Sequence, residues 1–185
     1  MKKIVALLLV LCLVCVSAAA LAEAVTEAKT VDLGSFSLSL EAGEYYAVGE
    51  KAMNQVHVLV YPYFADGDQS SNYNFIWAGD AFEVTPETVQ SQVAEIEETL
   101  RAQLTEAGVT VDSFTAGEPY DATLNDVPCV ALELTMDISA FGMTMTIYER
   151  EILLGSMGYI VTLSALSTEL LDEMTQKMAN ALTIN

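Results

Sequence analysis

The sequence predicts an α+β domain, an antiparallel β-sheet flanked by helices. Three observations predict it. Residues 128–166 hold three extended apolar segments separated by short turns, which is the pattern of an antiparallel meander. Val89, Val93, Ile96, Leu100 and Leu104 recur at helical spacing, as do Leu171, Met174, Met178 and Leu182. Ahead of both helices, Phe36-Ser37-Leu38-Ser39-Leu40 alternates apolar and polar residues with the period of a half-buried strand.

The elements follow in order. Lys2 and Lys3 precede an uninterrupted apolar run over residues 4–16, and Ala20-Leu21-Ala22 gives the small-x-small pattern that signal peptidase accepts. The run falls short of the roughly 20 apolar residues needed to span a bilayer. Residues 1–22 therefore read as a cleaved secretory signal, and residues 23–30, polar and alanine-rich, as a flexible lead-in to a domain over 31–185. Bulky residues stand just before Cys12 and Cys15, against a lipid-acceptor site. With no second hydrophobic segment or sorting motif, release without a stable membrane anchor is expected.

After the first strand and a turn at residues 41–44, residues 45–48 continue extended, and 56–61 are apolar on both faces, as suits a strand covered on both sides. Pro62 cannot donate to a ladder and ends regular pairing or confines it to an edge. A polar loop over residues 66–71 leads to a strand over 72–79. Thr85 is a good N-cap, Pro86 suits the first helical position, Glu87 complements the helix dipole, and Gly108 ends the helix. Residues 109–114 read as a short strand, Asn125-Asp126 as a turn, and 128–138, 143–154 and 159–166 as the meander. In the first of these, Val130, Leu132, Leu134, Met136 and Ile138 share a face, with Cys129, Ala131, Glu133 and Asp137 opposite. Ser167 caps the closing helix.

This order, together with the 36–40 strand before a Gly43 turn, Val84-Thr85-Pro86-Glu87 opening the long helix, and Gly158-Tyr159-Ile160-Val161-Thr162-Leu163 before the last helix, resembles the PsbP-like superfamily. The resemblance covers most of residues 31–185. It implies an α/β/α sandwich and a binding or assembly role. It implies no shared chemistry, so no catalytic residue is carried over.

Beyond residue 22 the chain has one thiol, Cys129, and one imidazole, His57. No intrachain disulfide is possible there, and nothing in the spacing brings the two together as a catalytic pair. Gly155-Ser156-Met157-Gly158 lacks the pattern of a nucleophile elbow and reads as a hairpin turn. Asp66 and Asp68 are candidate calcium ligands in a loop that departs from an EF-hand, with Ser71 and Trp77 at the positions where Gly and Glu belong. One histidine and one cysteine cannot build an ordinary zinc site, and no cofactor is expected. Tyr61 and Tyr63 share a face if their strand runs past Pro62, as do Tyr73, Phe75 and Trp77 on the next strand. If the two rows meet on an open face they form a platform for a sugar ring or peptide; if a helix covers them they are core. Met136, Met143 and Met145 are expected in the core, with an adaptable interface as the alternative.

All 26 acidic residues lie after Ala22 but only five of the seven basic ones do, so the exported part carries a formal charge of −21. That charge excludes nucleic acid and anionic membrane surfaces as partners and leaves cations, proteins, basic ones among them, or neutral ligands. The expected function is that of a secreted, non-enzymatic binding or assembly module. A secreted hydrolase and a carbohydrate-binding module are the alternatives.

Overall fold

Alternation of apolar and polar residues sets the strands, and two apolar stripes set the helices. The computed structural model describes residues 22–185 apart from residues 69 and 141, so the expected signal peptide lies outside the described residues save for Ala22. The element order is β1 (Glu23–Ala24), β2 (Lys29–Asp32), β3 (Phe36–Leu40), β4 (Tyr45–Val48), β5 (Gln55–Tyr61), β6 (Asn72–Trp77), α1 (Pro86–Gln90), α2 (Val93–Glu106), β7 (Thr110–Ala116), β8 (Tyr120–Leu124), β9 (Val127–Ala140), β10 (Met143–Leu154), β11 (Tyr159–Ala165), α3 (Thr168–Ala181) and β12 (Leu182–Ile184). The chain is thus a sheet-rich, antiparallel α+β protein.

Nine strands form one sheet in the order β1-β4-β5-β6-β11-β10-β9-β7, with β8 also on β9. At 14 residues β9 is long enough to serve two partners on one edge: β8 alongside residues 127–131 and β7 alongside 134–139. A three-stranded sheet, β12-β3-β2, stands apart.

Strand parity divides the core in two. Phe36, Leu38 and Leu40 of the small sheet and Leu171, Met174 and Met178 of α3 pack with Val58, Val60, Tyr73, Phe75, Val161 and Leu163 of the large sheet. Ile96, Leu100 and Leu104 of α2 pack with Val130, Leu132, Leu134 and Met136, the face expected of β9. Phe36 joins the two sheets: its ring stacks on Phe75 at 4.7 Å between centroids and meets the Tyr159 ring edge-on at 5.1 Å.

One connection is held by close backbone approach. The Gly155–Met157 turn before β11 lies against the segment after β6, with Phe82 N–H donating to Gly155 O at 2.8 Å and Ala78 N–H to Gly158 O at 2.7 Å. A Cβ on Gly158 would stand 2.1 Å from the Gly79 carbonyl oxygen, and its φ of +70° is left-handed, so only glycine fits.

Several elements depart from the sequence reading. Residues 23–30 are not a free lead-in: β1 pairs with β4, Val25 is buried, and Lys29 opens β2. The single long helix is two. Ser91 Oγ donates to the Thr88 carbonyl and Gln92 N–H to that of Val89, three residues back, a tightened turn between α1 and α2. The capping box at Thr85 uses Thr88 as its partner. β8 and β12 have no clear signal of their own in the sequence, because each is short and takes its place from its neighbour rather than from its own alternation.

Phe36→Ala is expected to cost about 3–5 kcal/mol, the usual range for a fully buried ring. Urea unfolding measures it, and a loss under about 1 kcal/mol would mean the ring is not what couples the two sheets.

Candidate functional site

The five aromatics proposed as a platform do not form one. Val60 lies opposite Tyr73 and Val58 opposite Phe75, so Tyr61 falls on the other sheet face, packed with Leu59, Tyr45 and Phe64. β5 stops at Tyr61, and Tyr63 lies in the turn that follows Pro62. Tyr73 and Phe75 are core residues at 1% and 0% exposure, under the small sheet and α3. Trp77 is half-buried, with the Lys51 ammonium 5.2 Å above its ring. Burial first, then Glu173, pushes the Tyr63 phenol up to about 12. The register that the sequence left open buries Tyr61 on one face and Tyr73 and Phe75 on the other, and leaves Trp77 half-buried.

Asp68 serves its own loop. Its Oδ1 accepts from the N–H groups of Ser70 and Ser71 and from Ser70 Oγ, an Asx turn that holds the carboxyl below its usual range against the opposing effect of burial. Asp66 is exposed at the end of a short 3-10 turn. Among the described residues no three His, Cys, Asp or Glu side chains gather as a metal site.

His57 and Cys129 are far apart. β5 and β9 are separated by β6, β11 and β10, four steps of about 4.8 Å, or about 19 Å. His57 sits at a register shift in β5, where its Nδ1 lies 2.8 Å from the Tyr159 hydroxyl. Burial first, then the Lys51 charge, lowers its pKa. The Cys129 thiol is pushed up to about 11 by burial alone.

A feature not anticipated lies at the centre of the large sheet. Two transverse rows of polar residues cross β6, β11 and β10 on the α2 side: Asn72, Ser164 and Glu149 in one, Asn74, Thr162 and Glu151 in the other. All six are buried, and both glutamates are 0% exposed. Ser164 Oγ donates to Glu149 Oε1 at 2.7 Å, and Thr162 Oγ1 donates to Glu151 Oε2 at 2.9 Å. Among the described residues Asn74 Oδ1 has no hydrogen-bond partner. Burial, with repulsion from Glu149 behind it, raises the Glu151 carboxyl well above the usual carboxylate range, and the Thr162 hydrogen bond opposes this. A signal for these rows was present. Glu149 and Glu151 share the parity of Ile147 and Leu153, Thr162 and Ser164 that of Ile160, and Asn72 and Asn74 that of Ile76. Polar residues thus stand at core positions of three strands that the meander makes neighbours.

The basic residues after Ala22 are all engaged. Lys177 pairs with Glu41 at 2.6 Å and with the buried Glu44 at 3.0 Å. Arg150 pairs with Glu133 at 2.6 Å and Asp172 at 2.8 Å, and donates to Thr175, tying α3 to the sheet. Arg101 pairs with Glu97 and donates to the Val111 carbonyl. Lys29 bonds the Tyr46 hydroxyl, and Lys51 lies over Trp77 and Tyr159. Open grooves of about 670 and 570 Å³ flank α3, the first lined by Lys29, Glu41 and Lys177, the second by Tyr120, Cys129 and Arg150.

No protein-family model matches the chain, and no curated protein matches it in sequence. Three solved structures are similar to it. The cyanobacterial PsbP protein CyanoP of Synechocystis has 9% identity and a TM-score of 0.47, over 87% of this chain and 94% of that one. LpqN of Mycobacterium tuberculosis, involved in cell envelope biogenesis, has 17% identity and a TM-score of 0.41, over 86% and 91%. A Pseudomonas aeruginosa protein of unknown function has 12% identity and a TM-score of 0.35, over 84% and 94%. The likeness is one of fold and bears on neither ligand nor chemistry.

Glu151 makes stability depend on pH. The folded chain holds a proton that the unfolded chain releases above its ordinary value of 4.5, so this contribution is full below that pH and is lost as pH rises through the folded pKa. The slope from one such group reaches at most about 1.4 kcal/mol per pH unit. Glu151→Gln should flatten the urea midpoint between pH 5 and 8, while the exposed Glu98→Gln leaves the slope as it is. Parallel curves for Glu151→Gln and the parent chain would show that Glu151 ionises normally.

Proposed function

We propose that the chain is exported, loses residues 1–22, and acts as a non-enzymatic binding module for another protein, with an α/β/α sandwich as its scaffold. One observation carries this reading: the only thiol and imidazole beyond residue 22 and the two glutamates of the polar rows are withdrawn from solvent. Cys129 is 6% exposed, His57 7%, and Glu149 and Glu151 0%. Cys129 is held as a thiol, and His57 is engaged with Tyr159. A hydrolase would need a substrate to reach such a group.

The surface supports a protein partner. Each cation after Ala22 is committed to an acid, a carbonyl, a hydroxyl or a ring within the fold, while the chain's acids far outnumber them. An acidic surface favours basic or neutral partners and repels phosphates and anionic lipid. Among the described residues no helix is long and apolar enough to cross a membrane. The reading needs no cofactor.

Export and binding are tested separately. Amino-terminal sequencing of the protein recovered from a secreting host should begin at Glu23; a chain still starting at Met1 would end the export reading. On a glycan array the purified chain should show no signal that Trp77→Ala abolishes, because Trp77 is half-buried beneath Lys51. Trp77-dependent sugar binding would restore the carbohydrate alternative.

A further inference from the structure

The β9–β10 hairpin ends in an unprotected strand edge. β11 pairs with β10 only as far as Tyr148, opposite Ala165, while β10 begins at Met143. Over residues 143–147, β10 is therefore paired to β9 alone among the described strands. Its backbone groups on the far side form a free edge about five residues long. The sequence there is Met-Thr-Met-Thr-Ile, without a charge, a proline or a glycine. Edge strands are ordinarily guarded by such residues against pairing with another chain, and this one is not.

The same segment corrects the expectation that its methionines are core. Met136 is fully buried, but Met143 is 61% and Met145 39% exposed. Both follow the parity of Ile147, so they share one side of the hairpin. Methionine is unbranched and polarizable and adapts to varied apolar partners.

Charge indicates what such a partner carries. The 48 residues between Arg101 and Arg150, which build the end of α2, β7, β8, β9 and the outer half of β10, contain no Lys or Arg and eight acids, of which Glu106 lies on α2 and Glu149 is buried. Asp137 lies on the neighbouring β9, bonded to Thr146 and Ser113, and Asp112 on β7 beyond it, bonded to Ser139. The hydrogen bonds from Ser113 and Thr146 lower the Asp137 pKa, so that carboxylate stays charged. A second copy of this chain would bring its own acidic surface to the edge and be repelled.

We propose that the free edge of β10 over residues 143–147 accepts an extended, basic segment of a partner protein, which adds as a strand with its apolar side chains against Met143 and Met145. This rests on the reading of the chain as a protein-binding module and names the place and the chemistry of the contact. Backbone hydrogen bonds supply affinity in such strand addition, and alternate side chains supply selectivity.

The test uses the purified chain with a labelled peptide of alternating lysine and valine, and a twin in which glutamate replaces lysine. Anisotropy should show binding of the lysine peptide only, and hydrogen exchange should slow at least tenfold at the amides of residues 143–147 that β9 does not bond. The double substitution Met143→Glu, Met145→Glu adds negative charge, so electrostatics alone would tighten the lysine peptide. Strand addition predicts instead a weakening of at least tenfold with the thermal midpoint unchanged. Because both methionines are exposed, the variant should fold; Met145→Thr, which keeps strand propensity, gives a second measurement, with weakening also expected. Lysine-peptide binding without protection at 143–147, or unaffected by these variants, would overturn the edge while leaving an acidic binding module in place. Failure of both peptides to bind would overturn the edge proposal itself. A dimer in sedimentation equilibrium that the double substitution dissociates would assign the edge to a second copy and overturn the basic partner.

Discussion

The register of the β9–β10–β11 meander is the constraint on which the rest of the molecule depends. It sets Arg150 opposite Glu133, Glu151 opposite Thr162 and Glu149 opposite Ser164. A slip of one residue would turn every side chain of β10 to the other face. Arg150 would then leave Asp172 and Thr175 of α3 for the side that α2 covers, and the two glutamates would enter the apolar core beneath α3. Correct pairing is thus enforced by polar groups as well as apolar ones, since the wrong register leaves buried charges without partners.

This dependence explains what was readable in the sequence. The β9 face that packs with α2, the cap at Ser167 and the α3 stripe were legible because each is a local pattern lying along one element. The two aromatic rows were not, because whether Tyr61 joins Tyr73 depends on how β5 pairs with β6, and β5 carries a register shift between Val56 and Val58. The polar rows were half-legible. Glu149 and Glu151 stand out once β10 is written in alternation, but their company, Ser164, Thr162, Asn72 and Asn74, becomes visible only when β6 and β11 are known to be neighbours. Met143 and Met145 were misplaced for a related reason. Composition makes methionine a core residue, whereas the end of β11 at Ala165 decides that nothing flanks them on that side among the described strands.

The electrostatics follow one theme. Few cations serve a very acidic chain, and they are spent where two elements meet: Lys177 joins α3 to the turn after β3, and Arg150 joins α3 to β9 and β10. Glu44 is a buried carboxylate made tolerable by Lys177 and by the Glu41 N–H that it accepts. Apart from Glu149 and Glu151, the acids left over lie at the surface, giving solubility and setting which surfaces the chain can approach.

Cys129 has a consequence of another kind. Its thiol is buried, held in the neutral form, and beyond residue 22 has no second thiol in its own chain to meet. Thiol–disulfide exchange needs a thiolate that a partner sulfur can reach. In the folded chain Cys129 is therefore shielded from thiol–disulfide exchange with its surroundings. The chain can mature without an oxidant or a disulfide isomerase, and two copies will not become covalently linked as they age in an oxidising medium.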